Sequence, residues 1–145
     1  MRMDQIIAIE RLIRAEQEIT NGKFISEVEI NSYIEKLKTQ AEFVTHYTDE
    51  VLSGFIAFYC NDPGKKSSFI TLVLLAKEYR GMGVASIMLA DILSICKTRD
   101  FQFCDLEVES NNSNAIALYK KFGFKKTEEK GSKYLMRASL KDDFV

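Results

Sequence analysis

Seven residues, Tyr79-Arg80-Gly81-Met82-Gly83-Val84-Ala85, join an apolar run at 69–75 to a long amphipathic segment. Two glycines in such a turn let the backbone approach a ligand closely, and the first amides of a helix have no partner within it. The positive end of the helix dipole adds to those amides, so an apolar strand, a glycine turn and a helix in that order build an anion site suited to a pyrophosphate. The flanking residues narrow the choice. A P-loop needs Lys followed by Ser or Thr after its last glycine; Val84 and Ala85 stand there instead, which argues against nucleoside triphosphate chemistry with magnesium. A dinucleotide fingerprint needs a third glycine where Ser86 stands. Its turn would also begin past the middle of a 145-residue chain, leaving too little sequence for the remaining βαβ units.

The pattern Arg80-x-x-Gly83-x-Ala85, with the lead-in Tyr79-Arg80-Gly81, resembles the acyl-CoA pyrophosphate loop of the GNAT family of N-acetyltransferases. A second block resembles that family's other signature: Leu106-Glu107-Val108, then Asn112-x-x-Ala115-Ile116-x-Leu118-Tyr119-x-Lys121-Phe122-Gly123-Phe124. The two blocks stand in the family's order and at its usual spacing, and the resemblance covers roughly residues 41–138. It implies an α/β chain with the single-domain GNAT fold, a mixed central β-sheet flanked by helices. It also implies acetyl-CoA as acyl-donor cosubstrate and a primary amine as acceptor.

The resemblance assigns roles residue by residue. Val73, Leu74 and Leu75 would offer main-chain amides and carbonyls to pantetheine as an added strand does, and an amide near Leu75 would polarise the thioester carbonyl. Arg80, Gly81, Met82, Gly83, Val84 and Ala85 would hold the pyrophosphate, chiefly through main-chain N–H groups. Asn112 falls where family members contact the cofactor, and its residue type equally suits the cap of a helix starting near Ser113. Tyr119 falls on the general-acid position, where a phenol with an ordinary pKa of about 10 stays protonated until the thiolate forms. The alternative for Tyr119 is packing. Glu107 matches the base of the ribosomal-protein N-terminal acetyltransferases; a solvated strand carboxylate is the competing reading, Glu109 on the same strand face is the reserve candidate, and a water chain is a third possibility. Cys104 has no neighbouring signature of a covalent nucleophile, so direct transfer in a ternary complex is expected.

The bulk numbers allow one compact domain, residues 1–145, with 46% hydrophobic composition. Twenty basic residues face 21 acidic ones, which gives no general reason to expect a nucleic-acid or anionic membrane partner. Cys60, Cys96 and Cys104 lie in apolar runs without CxxC spacing and read as structural thiols of a reducing compartment. The lone His46 has no metal-ligand companions in the sequence, and no metal is expected. Without a signal peptide pattern or an apolar run long enough to span a membrane, a cytoplasmic protein is expected. A homodimer follows from family analogy alone.

Apolar periodicity predicts helices at 3–20, after a Ser26/Glu29 capping box, at 84–96 and at 113–122, the last closed by Gly123. Strands are expected at 41–48 and 51–60 as an antiparallel pair, at 69–75 in the sheet centre, at 101–108, and at 124–129 and 133–140 as a closing hairpin. The strand, helix and strand at 69–108 form a right-handed parallel crossover by default. Family members usually open with a strand before the first helices, and none is read here. The helices at 3–39 are assigned to the acceptor side, with residues 24–47 and the surroundings of Tyr134 shaping it, and 69–124 to the acyl-CoA core. Two other readings use the same residues: a non-catalytic acyl-CoA sensor or interaction module of the same fold, and a nucleotide-binding regulator.

Overall fold

A computed structural model describes residues 2–25 and 29–141. The elements are α1 (Met3–Ile19), α2 (Ile30–Gln40), β1 (Glu42–Thr48), β2 (Val51–Tyr59), β3 (Ser67–Leu75), α3 (Val84–Thr98), β4 (Phe103–Glu109), α4 (Ser113–Lys121), β5 (Lys125–Lys130) and β6 (Lys133–Ser139). One six-stranded sheet runs in the order β1-β2-β3-β4-β6-β5, with β3 and β4 parallel and every other pair antiparallel. The mixed α/β sheet expected from the sequence is therefore present. The helix after the capping box starts at Ile30, with the Glu29 carboxylate itself accepting from the amides of Asn31 and Ser32. Ser26 lies outside the described residues.

Two cores sit on opposite faces of the sheet. Alternation along β2 shows why: Ile56 and Phe58 pack with α3 and α4, while Phe55 and Ala57 pack with α1 and α2. With both faces covered, seven successive residues of β2, 52–58, are buried. The helices α1 and α2 cover the β1–β3 half of their face through Ile9, Ile13, Ile34 and Leu37. On that same face, the β4–β6 half carries Asp105, Glu107 and Glu109, opposite the buried Cys104, Leu106 and Val108.

The sheet opens at its centre. Ser67, Ser68, Phe69 and Ile70 of β3 pair with residues 103–106 of β4, and the pairing stops there. Opposite β2, Ala57 faces Leu72 and Phe58 faces Ile70, so Thr71 is an extra, bulged residue. A bulge bends its strand and adds local twist, which turns β3 away from β4 immediately past Ile70. The Tyr33 side chain of α2 neighbours the Thr71 side chain, so the bulge lies against the helical layer. No helix of the described residues is long and apolar enough to cross a membrane.

Gly54 holds β2 against the diverging part of β3. A Cβ there would lie 2.6 Å from Leu75 Cδ2, 3.0 Å from the Leu74 carbonyl oxygen and 3.2 Å from Met88 Cε. Gly54→Ala is expected to destabilise the fold by about 1–3 kcal/mol through overpacking, read as a lower urea midpoint with an unchanged m-value.

Candidate active site

The glycine turn leaves β3 through a single 3₁₀ turn, Lys77–Tyr79, and enters α3 at Val84. Gly81 and Gly83 hold φ of +77° and +80°, and a Cβ at either would meet nothing within 4 Å. Glycine is thus required here by backbone conformation rather than by space. Gly83 caps α3 without a side chain, and the first bond into the cap runs from the Ile87 amide to the Gly83 carbonyl. Among the described residues, the amides of residues 81–86 donate to no acceptor. Six unpaired amides thus cluster around the positive end of a 15-residue helix. Met82 projects outward, 68% exposed.

The open edge of β3 supplies a second set of unpaired groups. Ala76 donates its amide to the Ser53 carbonyl of β2, which fixes the phase of the antiparallel ladder. Stepping back by two along that ladder, Leu74 and Leu72 also turn their main-chain groups toward β2, and Leu75 and Val73 turn theirs toward the gap beside β4. Of the three residues expected to present main-chain groups, Val73 and Leu75 therefore do so and Leu74 faces the other way. Its side chain is buried in the α1/α2 core.

Arg80 does not extend from the turn into solvent. Its Nε and Nη2 both donate to the Leu75 carbonyl at 3.3 Å, and Nη2 also donates to Glu16 Oε1 of α1 at 2.7 Å. The Glu16 side chain is only 15% exposed. Arg80 thereby links α1, the glycine turn and the open strand edge. A single glutamate within the charged stretch of α1 carries no sequence signal, because its partner lies 64 residues away.

Tyr119 is placed by the end of α4. Gly123, at φ +90°, donates to the Lys120 carbonyl, and Phe124 donates to that of Tyr119. These are the two bonds of a Schellman motif, whose usual apolar contact here is the edge-to-face pair of Tyr119 and Phe124, with ring centroids 5.9 Å apart. Burial pushes the Tyr119 phenol above its ordinary pKa, so it is protonated at neutral pH. Its hydroxyl has no hydrogen-bond partner among the described residues and is not sealed from solvent, so the proton remains available. Asn112 is the N-cap of α4, with Oδ1 accepting from the Ala115 amide at 3.2 Å.

Glu107 and Tyr119 stand on opposite faces of the sheet. Tyr119 belongs to the α3/α4 core with Leu106 and Val108, whereas Glu107, between those two residues on β4, points the other way. Glu107 stands on β4 one residue past the point where pairing with β3 ends. The Glu107 side chain is 35% exposed and sits 3.9 Å from Lys130 Nζ. Glu107 lies opposite Leu135 in the ladder, while Tyr134 lies opposite Val108 and packs with the α3/α4 core. Tyr134 itself is thus on the Tyr119 side of the sheet. His46, with its Nδ1 2.6 Å from the buried Ser53 Oγ, belongs to the β1/β2 packing.

Comparison with known proteins decides the family. The family model described as the Acetyltransferase (GNAT) family matches residues 9–124. The chain belongs to that family. Among relatives, a probable N-acetyltransferase san of Drosophila melanogaster is 28% identical over 92 residues, covering 63% of this chain and 50% of that protein. A putative [ribosomal protein bS18]-alanine N-acetyltransferase of Bacillus subtilis is 32% identical over 83 residues, covering 54% of this chain and 52% of that protein. The chain thus spans about half the length of these curated relatives. The fold matches a PaiA N-acetyltransferase of Thermoplasma acidophilum, solved in complex with coenzyme A, with TM-score 0.76, 21% identity, and 96% and 95% of the two chains covered. It also matches the ribosomal-protein-S18-alanine N-acetyltransferase of Escherichia coli, with TM-score 0.77, 12% identity, and 99% and 93% covered.

Asn112 offers a test that separates folding from ligand contact. Asn112→Ala is expected to cost about 1 kcal/mol of stability, while Asn112→Asp keeps a capping oxygen and holds the denaturation midpoint within a few tenths of a kcal/mol. If the two variants are equally destabilised, the cap is not what the side chain contributes.

Proposed function

We propose that this GNAT protein transfers an acetyl group directly from acetyl-CoA to a primary amine of a small molecule or protein. The observation that carries the reading is the run of unpaired amides at 81–86 beside the unpaired edge of β3. One set suits a pyrophosphate and the other an extended amide-bearing chain, and these are consecutive parts of coenzyme A. Acetyl-CoA bound there would supply the activated acyl group.

Residues 81–85, with Ser86, would hold the pyrophosphate by main-chain N–H groups, which Gly81 and Gly83 permit by their positive φ. Val73 offers both an amide and a carbonyl to the pantetheine, and Leu75 offers its amide, since Arg80 already occupies the Leu75 carbonyl. The role of Arg80 in this reading is to brace the turn against α1 and β3 through Glu16 and Leu75. Asn112, whose Oδ1 is committed to the cap, retains its amide nitrogen for the cofactor.

Two proton movements remain. The attacking amine must be neutral, and Glu107 is the group placed to take its proton, directly or through a water, from the face left uncovered by α1 and α2. Glu109 shares that face and is the reserve. The departing thiolate is protonated from the opposite face by Tyr119, whose burial keeps the phenol neutral for the purpose. Acid and base on opposite faces cannot short-circuit the proton between them, and no acyl-enzyme is needed. The acceptor would approach between the helices at 3–39 and the β5–β6 hairpin. Placement in the cytoplasm rests on the sequence pattern and pairing as a homodimer on family analogy; neither is needed for the chemistry.

A thiolate is a good leaving group, so loss of its acid costs toward the lower end of general-acid effects. Tyr119→Phe is expected to lower kcat by about 10²-fold with acetyl-CoA affinity unchanged, read by thiol release and by calorimetry. In the parent protein kcat should fall as pH rises through the phenol's pKa, which burial places above 10, and the variant should lack that limb. Equal losses of turnover and of binding would instead make Tyr119 a packing residue. Undetectable turnover of the parent protein across amine classes, with binding intact, would favour the sensor reading.

A further inference from the structure

The last turn of α3 and the end of β2 meet far from the glycine turn, since α3 is 15 residues long and so spans about 22 Å. There a surface pocket of about 400 Å³ is lined by Cys60, Asn61, Lys65, Thr98, Arg99 and Phe101. Cys60 is the first residue past β2 and 8% exposed; Cys96 of α3 and Cys104 of β4 are fully buried behind it. The Cys60 thiol donates to Cys96 Sγ at 3.8 Å. The Cys104 thiol and the Ser68 side chain neighbour Cys96, and the Ser68 hydroxyl donates to the Phe103 carbonyl at 3.1 Å. Three thiols thus form a chain leading inward from a pocket, and none has a part in the proposed acetyl transfer.

We propose that Cys60 and Cys96 form a peroxide-sensitive thiol pair that closes to a disulfide between β2 and α3. The sulfurs need to approach from 3.8 Å to about 2.05 Å. Cys96 is fixed in a packed helix, so the movable partner is Cys60, which leads into the exposed turn at 61–66. Burial raises the Cys60 thiol above its ordinary range, so Cys60 carries its proton at neutral pH. Arg99 lines the pocket beside Cys60 and is held there by both carboxylate oxygens of Glu42, at 2.7 and 2.8 Å.

The chemistry balances with hydrogen peroxide as oxidant. Cys60 sulfur attacks one peroxide oxygen, the O–O bond breaks, and the departing hydroxide takes the Cys60 proton to become water. Cys60 is now a sulfenic acid. Cys96 sulfur then attacks Cys60 sulfur, the S–O bond breaks, and the departing hydroxide takes the Cys96 proton. In total two thiols and one peroxide give one disulfide and two waters. The peroxide is small enough to enter the pocket, whereas Cys104 has no such access. The link ties α3, which carries the unpaired amides at its other end, to β2, which orders β3.

The test treats reduced, full-length protein with a few equivalents of hydrogen peroxide, blocks free thiols and maps the products by mass spectrometry. The expected result is loss of two hydrogens from the intact mass, a Cys60–Cys96 linked peptide and reversal by dithiothreitol. Cys60→Ser and Cys96→Ala should abolish the link and Cys104→Ala should retain it, with far-UV circular dichroism checking that each variant folds. Unchanged mass, added oxygen without a link, or a link through Cys104 or between molecules would each overturn the proposal. The parent protein decides these outcomes even if a variant fails to fold.

Discussion

The bulged residue Thr71 controls what the rest of the molecule can do. Up to Ile70, β3 and β4 pair as ordinary parallel neighbours; past it they separate. Had the ladder continued, the main-chain groups of Val73 and Leu75 would be used up by β4, and the sheet would have no gap at its centre. Edge strands are usually short, charged or covered because their unpaired groups recruit other strands. Here an unpaired edge lies inside the fold, bounded by β4, the glycine turn and two helical layers, so only a narrow extended ligand can use it.

Everything proposed for the site follows from that separation. The glycine turn lies at the end of the diverging strand, so its amides and the strand edge would serve consecutive parts of one ligand. Glu107 and Tyr119 lie on opposite faces, and only a gap between the faces lets both act on the same atoms. The helices hold the gap open rather than fill it. Tyr33 of α2 packs beside the bulge, and Glu16 of α1 holds Arg80 against the Leu75 carbonyl.

Much of this was legible in the sequence because it rests on local rules. Gly81, Gly83 and Gly123 marked positive-φ positions, alternation in residues 101–108 marked which carboxylates share a face, and the run at 69–75 marked a central strand. Asn112 was legible as a cap for the same reason. What stayed hidden depends on register between distant segments. A bulge leaves no mark in an apolar run, so the phase that turns Leu74 toward β2 and Val73 and Leu75 toward the gap could not be read. Nor could the pairing of Glu16 with Arg80, or the position of Tyr134 on the Tyr119 side of the sheet. The three cysteines looked merely apolar, since their convergence is made by the crossover of α3.

The central claim is that the unpaired amides at 81–86 and the open edge of β3 form one binding site for acetyl-CoA. Isothermal titration of the protein with acetyl-CoA, beside free CoA and ATP at a single salt concentration, tests it directly. The account predicts binding of both CoA species with Kd on the order of micromolar, and no binding of ATP, which has phosphates for the turn but nothing to pair with the strand. Folded protein that binds neither CoA species, or binds ATP equally well, would contradict it.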